Sequence, residues 1–137
     1  MKGLVFIEFL EMVERKFSAE MVDDMIDETN LASGGAYTSV GTYPHSEMLA
    51  LVENLSNKTN LPIPVLIKVF GQYLFGRFVN LYPAFFQNTQ TAFDFLESIE
   101  NYIHVEVRKL YPDAELPRFE TIRSADDRQL IMIYRSK

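Results

Sequence analysis

Cysteine is absent from the 137 residues, and histidine occurs only twice. The first absence excludes disulfides, thiolate metal sites and thiolate ligands to any cofactor, a condition most simply met in the cytoplasm. The second confines imidazole chemistry to His45 or His104. Positive charge is also short: 13 Lys and Arg against 19 Asp and Glu give a formal net charge of −6. No broad basic surface is left to neutralise phosphates, so nucleic acid is not an expected partner. Long apolar runs are lacking as well. The opening stretch Gly3-Leu-Val-Phe-Ile7 is interrupted by Glu8 and Glu11 and has no small-residue cleavage site, so it reads as neither a signal peptide nor a membrane span. A soluble cytoplasmic protein without a membrane partner is the expectation, and the chain shows no internal repeat or low-complexity segment.

What is present is apolar and aromatic: 47% of residues are hydrophobic, with eleven Phe, seven Tyr and six Met. That supply fills one core in a chain of this length, which predicts a single domain over 1–137. The aromatic excess hints at a large flat apolar object inside.

Periodicity divides the chain into a helical part, about 1–110, and a strand part, about 116–137. Apolar positions Phe6, Phe9, Leu10 and Val13 predict a helix over 4–17, and Ser18 is placed to cap a second over 19–28. Residues 33–44, rich in Gly, Ser and Thr, read as a connector packed on the surface. Met48, Leu49, Val52 and Leu55 predict a helix over 46–55, ended by the stretch 57–60. Pro62 and Pro64 suit the first turn of the next helix, 65–81, which is apolar almost all round and must be covered by protein or ligand. Gly71 and Gly76 inside it each cost roughly 1 kcal/mol relative to Ala. Either a close backbone approach to something or a tight helix crossing explains them. A further helix is expected over 91–110, stopped by Pro112. Segments 118–123 and 129–137, with a turn at 125–128, form a β-hairpin signal. A lone hairpin is marginal in water, so the last strand needs a helix face or further strands as a partner. The fold class is α+β.

His45, at a helix start, reads as exposed or capping. His104 stands at the border of the stripe formed by Leu96, Ile99, Ile103, Val107 and Leu110, near Phe93 and Tyr111 on an α-helical wheel. A buried neutral imidazole there is either a structural, hydrogen-bonded histidine or a metal ligand oriented through its second nitrogen.

The text around it, Glu100-Asn-Tyr-Ile-His104-Val-Glu-Val-Arg-Lys-Leu-Tyr-Pro112-Asp-Ala-Glu-Leu-Pro117-Arg-Phe119, resembles the proximal signature of the heme-nitric oxide/oxygen binding (H-NOX) family, related to the regulatory domain of soluble guanylate cyclase. Met1-Lys-Gly3, Phe70-Gly71-Gln72 and Tyr134-Arg-Ser136 match further landmarks in the family's order. The resemblance implies a helical distal subdomain, a long proximal helix and antiparallel strands around heme b. It makes His104 the axial iron ligand, with the distal side open to a diatomic gas. Leu116 and Pro117 would press on the macrocycle, and Tyr134 and Ser136, two apart on a strand, would bond a propionate. The Arg completing that motif would be residue 138, past the end at Lys137, and Arg135 and Lys137 point to the other face. The chain therefore reads as a C-terminally shortened member.

By the same resemblance the distal wall includes Val5, Phe9, Leu74 and Phe78, all apolar. Members that hold dioxygen carry a distal Tyr, at a position after Lys137, and Leu74 adds no polar support. The implied function is a gas sensor rather than an enzyme. Nitric oxide and carbon monoxide bind a five-coordinate ferrous heme, and release of the axial histidine is read by a histidine kinase or a cyclic-nucleotide (diguanylate) enzyme. Two other readings are a heme-free helical interaction module and an oxygen-binding member. A peroxidase-like enzyme would need a distal acid–base group, which His45 on its connector does not supply.

Overall fold

Helical periodicity in the first half of the sequence becomes a four-helix core. In the computed structural model, which describes residues 1–136, α1 spans Gly3–Lys16, α2 Ala19–Glu28, α3 His45–Thr59 and α4 Ile63–Leu81. Phe6, Phe9, Met12 and Val13 recur at spacings of three and four and so share one face of α1. That face is fully buried with Met25 of α2, Leu51 and Leu55 of α3, and Leu66 of α4. The Ser18 hydroxyl caps α2 as expected, accepting from the Met21 amide at 3.0 Å. The third helix runs past the expected end at 55 to Thr59. Asn60 takes the left-handed conformation at φ 56°, which Asn tolerates, so this stretch caps the helix instead of stopping it early.

A part-buried ion pair ties α1 to α4. Glu8 is 2% exposed, and Arg77 donates to it twice, from Nε at 2.7 Å and from Nη2 at 3.2 Å. This two-pronged geometry satisfies both carboxylate oxygens and is the strongest form of such a contact. The connector at 33–44 packs on the surface as predicted. Tyr37 stacks on Phe6 with centroids 4.4 Å apart, and buried Glu47 accepts from the Ser33 amide, the Ser33 hydroxyl and the Tyr37 hydroxyl. Glycine is required at position 3, where a Cβ would collide with the Thr38 carbonyl oxygen.

By backbone proximity the chain divides into two compact units, Met1–Phe78 and Val79–Lys137. The second opens with a 3₁₀ turn, Pro83–Phe86, that periodicity does not indicate. The helix expected over 91–110 is then three pieces: α5 Ala92–Ser98, a π-helical turn Ile99–Ile103 and α6 His104–Leu110. Thr91 and Asp94 close a reciprocal capping box at its start. Strands β1, Arg118–Arg123, and β2, Leu130–Arg135, pair antiparallel with Phe119 opposite Tyr134 and Ile122 opposite Ile131. The second strand thus ends at Arg135, and Lys137, expected on the face opposite Tyr134, lies outside the described residues. Arg123 binds the hairpin to α5, donating from Nη1 to Asp94 at 2.8 Å and Glu97 at 2.9 Å, and from Nε to Asp127 at 2.8 Å. Among the described residues no helix is long and apolar enough to cross a membrane.

Both ion-pair clusters carry measurable stability. Arg77→Ala leaves the buried Glu8 carboxylate without its guanidinium and should lower the denaturant midpoint of unfolding; an unchanged midpoint would show the pair to be dispensable. The Arg123 guanidinium, with Thr91 beside it, holds the Asp94 carboxyl at about 2 against an ordinary value of 3.8. Because the folded value is the lower one, this stabilisation is present above pH 3.8 and lost as pH falls towards 2. Arg123→Met should therefore flatten that part of a thermal-melt pH profile; an unchanged profile contradicts the assignment.

Candidate functional site

Of all described residues in the second unit, His104 is the buried one, at 6% exposure. Its place is set by the π turn. The His104 amide donates to the Ile99 carbonyl, five residues back instead of four, so one extra residue is wound into the helix. At 3.6 residues per turn, that extra residue rotates α6 by roughly 100° relative to an unbroken α-helix. The α-helical wheel puts His104 at the border of the apolar stripe and Leu110 within it. In the structure the imidazole is the most enclosed side chain of the helix, while Leu110 is 56% exposed. The aromatic ring beside His104 is likewise not Phe93, which takes the Arg123 guanidinium on its face at 5.6 Å. It is Phe119 of β1, with ring centroids 5.6 Å apart.

Glu100 orients the imidazole. Its Oε2 lies 3.2 Å from His104 Nδ1 and also accepts from the Phe119 amide at 3.0 Å. The Phe119 amide foremost holds this carboxyl below its ordinary range, against the opposing effect of burial, with a further contribution from the histidine hydrogen bond. An ionised carboxylate only accepts, so the proton of a neutral ring sits on Nδ1 and the lone pair on Nε2. An imidazole with one nitrogen engaged in this way is built to give the other to a metal. Sequence reading alone passes over Glu100, although a Glu four residues before a His on a helix is the spacing at which such pairs meet.

Leu116 and Pro117 lie half-buried in the extended segment leading into β1. Tyr134 shares a face with Phe119, at 5.5 Å between centroids, and is 62% exposed. His104, Phe119 and Tyr134 thus form a continuous ladder of rings. Ser136 is exposed and stands one residue past the end of β2, not within the strand as the two-residue spacing required. In the first unit, Val5 and Phe9 are one turn apart on α1, and Leu74 and Phe78 one turn apart on α4. Val5, Leu74 and Phe78 keep part of their surface exposed, whereas Phe9 is fully buried with its ring edge-on to Phe70 at 5.2 Å. His45 is exposed at the first residue of α3, as expected.

The residues present fit a heme. A single buried imidazole suits an iron whose in-plane ligands come from a macrocycle. The apolar helix α4 buries only Leu66 fully and leaves Val65, Ile67 and Phe75 about half exposed. A Cβ built at Gly71 or Gly76 meets nothing within 4 Å among the described residues. Within the first unit, then, no neighbouring side chain forces glycine at either position.

Comparison with known proteins agrees. The family model for Haem-NO-binding matches residues 2–137. The unliganded Fe(II) H-NOX protein of K. algicida is 47% identical, with a TM-score of 0.90 over 99% of this chain and 73% of that one. An H-NOX of Shewanella woodyi, solved with bound IWP-051 in its Fe(II)CO state, is 41% identical, with a TM-score of 0.79 over 92% of this chain and 66% of that one. An H-NOX from S. oneidensis in the Fe(II)NO state is 25% identical, with a TM-score of 0.87 over 98% of this chain and 73% of that one. No curated protein sequence matches the chain. With a family match along nearly its whole length and a solved relative sharing almost half its residues, the chain belongs to the H-NOX family of heme-binding gas-sensor domains.

Proposed function

We propose that this chain is one heme-binding sensor domain for nitric oxide and carbon monoxide, acting in the cytoplasm with a histidine kinase or a cyclic-nucleotide (diguanylate) enzyme as its partner. The observation that carries the reading is the buried His104 with Nδ1 committed to Glu100. In it, His104 Nε2 would hold the iron, Leu116 and Pro117 would contact the macrocycle, and Tyr134 and Ser136 would bind a propionate. From the first unit Val5, Leu74 and Phe78 supply apolar contact surface, and Phe9 backs them from the core. When bound, ferrous heme would supply the iron to which a diatomic gas binds. The chain's own part is to hold that histidine firmly enough for binding and loosely enough for release.

Those of the distal side chains that lie before Lys137 favour nitric oxide and carbon monoxide over dioxygen. Bound dioxygen carries partial negative charge and is held by a donor, whereas nitric oxide needs none. Val5, Leu74 and Phe78 offer no donor. Supporting the choice are the Fe(II)CO and Fe(II)NO states recorded for the S. woodyi and S. oneidensis relatives. On release His104 would stay tied to Glu100 through Nδ1, and a partner that favours one of the two arrangements would read the change.

Purified protein supplied with heme should show a ferrous Soret band, and His104→Gly should lose it until imidazole is added; heme held equally well without imidazole would refute the ligand assignment. Nitric oxide should convert the spectrum to a five-coordinate form, while exposure to air gives no stable oxygenated band. An oxygenated spectrum lasting minutes would overturn the proposed selectivity.

A further inference from the structure

The Glu100 carboxylate joins two elements of the fold at a single atom. Oε2 accepts from His104 Nδ1 at 3.2 Å and from the Phe119 amide at 3.0 Å, so the side chain of the π turn bridges the first residue of α6 and the second residue of β1. The His104 and Phe119 rings also lie against one another. Glu100 is itself partly enclosed, with 27% of its side chain exposed, and His104 is 8% exposed by the same measure. Water therefore competes weakly for this bond, and a charge-assisted hydrogen bond in such a setting is stronger than one between neutral groups.

We infer that Glu100 is the positioning residue of His104, setting its donor nitrogen and coupling the imidazole to strand β1. The inference rests on the reading of His104 as the iron ligand. The geometry has three consequences. The proton is kept on Nδ1, so Nε2 is always the nitrogen offered to a metal. The negative charge behind Nδ1 raises the basicity of Nε2 and strengthens the bond it makes. When Nε2 is released, the imidazole stays tethered through Nδ1. Ring movement then draws on the same oxygen that holds the Phe119 amide, and the displacement reaches the hairpin.

Two variants separate charge from shape. Glu100→Gln keeps an oxygen for both donors but removes the charge; Glu100→Leu removes the acceptor. In the ferrous, gas-free holoprotein, resonance Raman should show the iron–histidine stretch at lower frequency in both variants, and nitric oxide should produce the five-coordinate form several-fold faster, since the bond to be broken is weaker. In the diamagnetic ferrous–CO form, NMR should show Glu100→Leu exposing both the His104 Nδ1 proton and the Phe119 amide to solvent exchange, each by about tenfold or more, as loss of a hydrogen bond to a charged group implies. Where Glu100→Leu does not fold, the Gln variant carries the test through its stretch frequency. An unchanged stretch in Glu100→Gln, or protection of the Phe119 amide unaltered in folded Glu100→Leu, overturns the inference. Failure of the underlying reading looks different: His104→Gly then retains heme without imidazole, whatever Glu100 does.

Discussion

A buried imidazole whose Nδ1 is already engaged is the constraint around which the second unit is organised. The π turn is needed to swing His104 inward, the segment at 116–117 brings Phe119 alongside, and the hairpin gains in the helix the partner that a two-stranded sheet lacks in water. Arg123 secures the far end of the same assembly by joining β1 to α5. Each of these features places a polar or charged atom where it is satisfied by another element, so the unit is held by directed contacts more than by a closed apolar core.

The first unit is the opposite case. Its stability comes from apolar side chains on α1, α2, α3 and α4 that exclude solvent completely. The carboxylates buried there, Glu8 and Glu47, are each met by close hydrogen bonds, from Arg77 and from Ser33 and Tyr37. The contrast has a physical basis: a well-filled core is rigid, while a unit with few enclosed apolar groups rearranges at lower cost.

Much of this is legible in the residues. Apolar spacing locates α1, α2 and α4 within two residues, the Ser18 hydroxyl marks a cap, and alternation from 118 onward marks the hairpin. His104 stands out because so few imidazoles exist and because the text around it matches a family. What escapes a sequence is whatever depends on a departure from ideal geometry. A π turn has no compositional mark, so a helical wheel carries the α-helical phase past Ile99 and puts Phe93 rather than Phe119 near the histidine. Glu100 is hidden for a similar reason: its role depends on the amide of a residue nineteen positions away, which no local pattern records. The Asn57 to Asn60 stretch misleads in the other direction, because polar residues in a last helical turn do not end it; a left-handed residue does.

The π turn bears on how sequences of this kind vary. Substitution within 99–103 leaves the residue count, and hence the angular offset between α5 and α6, intact. Deleting a single residue there removes the surplus that defines the turn, and the chain relaxes to a continuous α-helix with His104 turned away from Phe119 by roughly a residue's rotation. An insertion errs by the same angle in the other sense. The number of residues from Thr91 to His104 is thus constrained alongside Glu100 and His104 themselves, and at the other positions of the turn length matters more than identity.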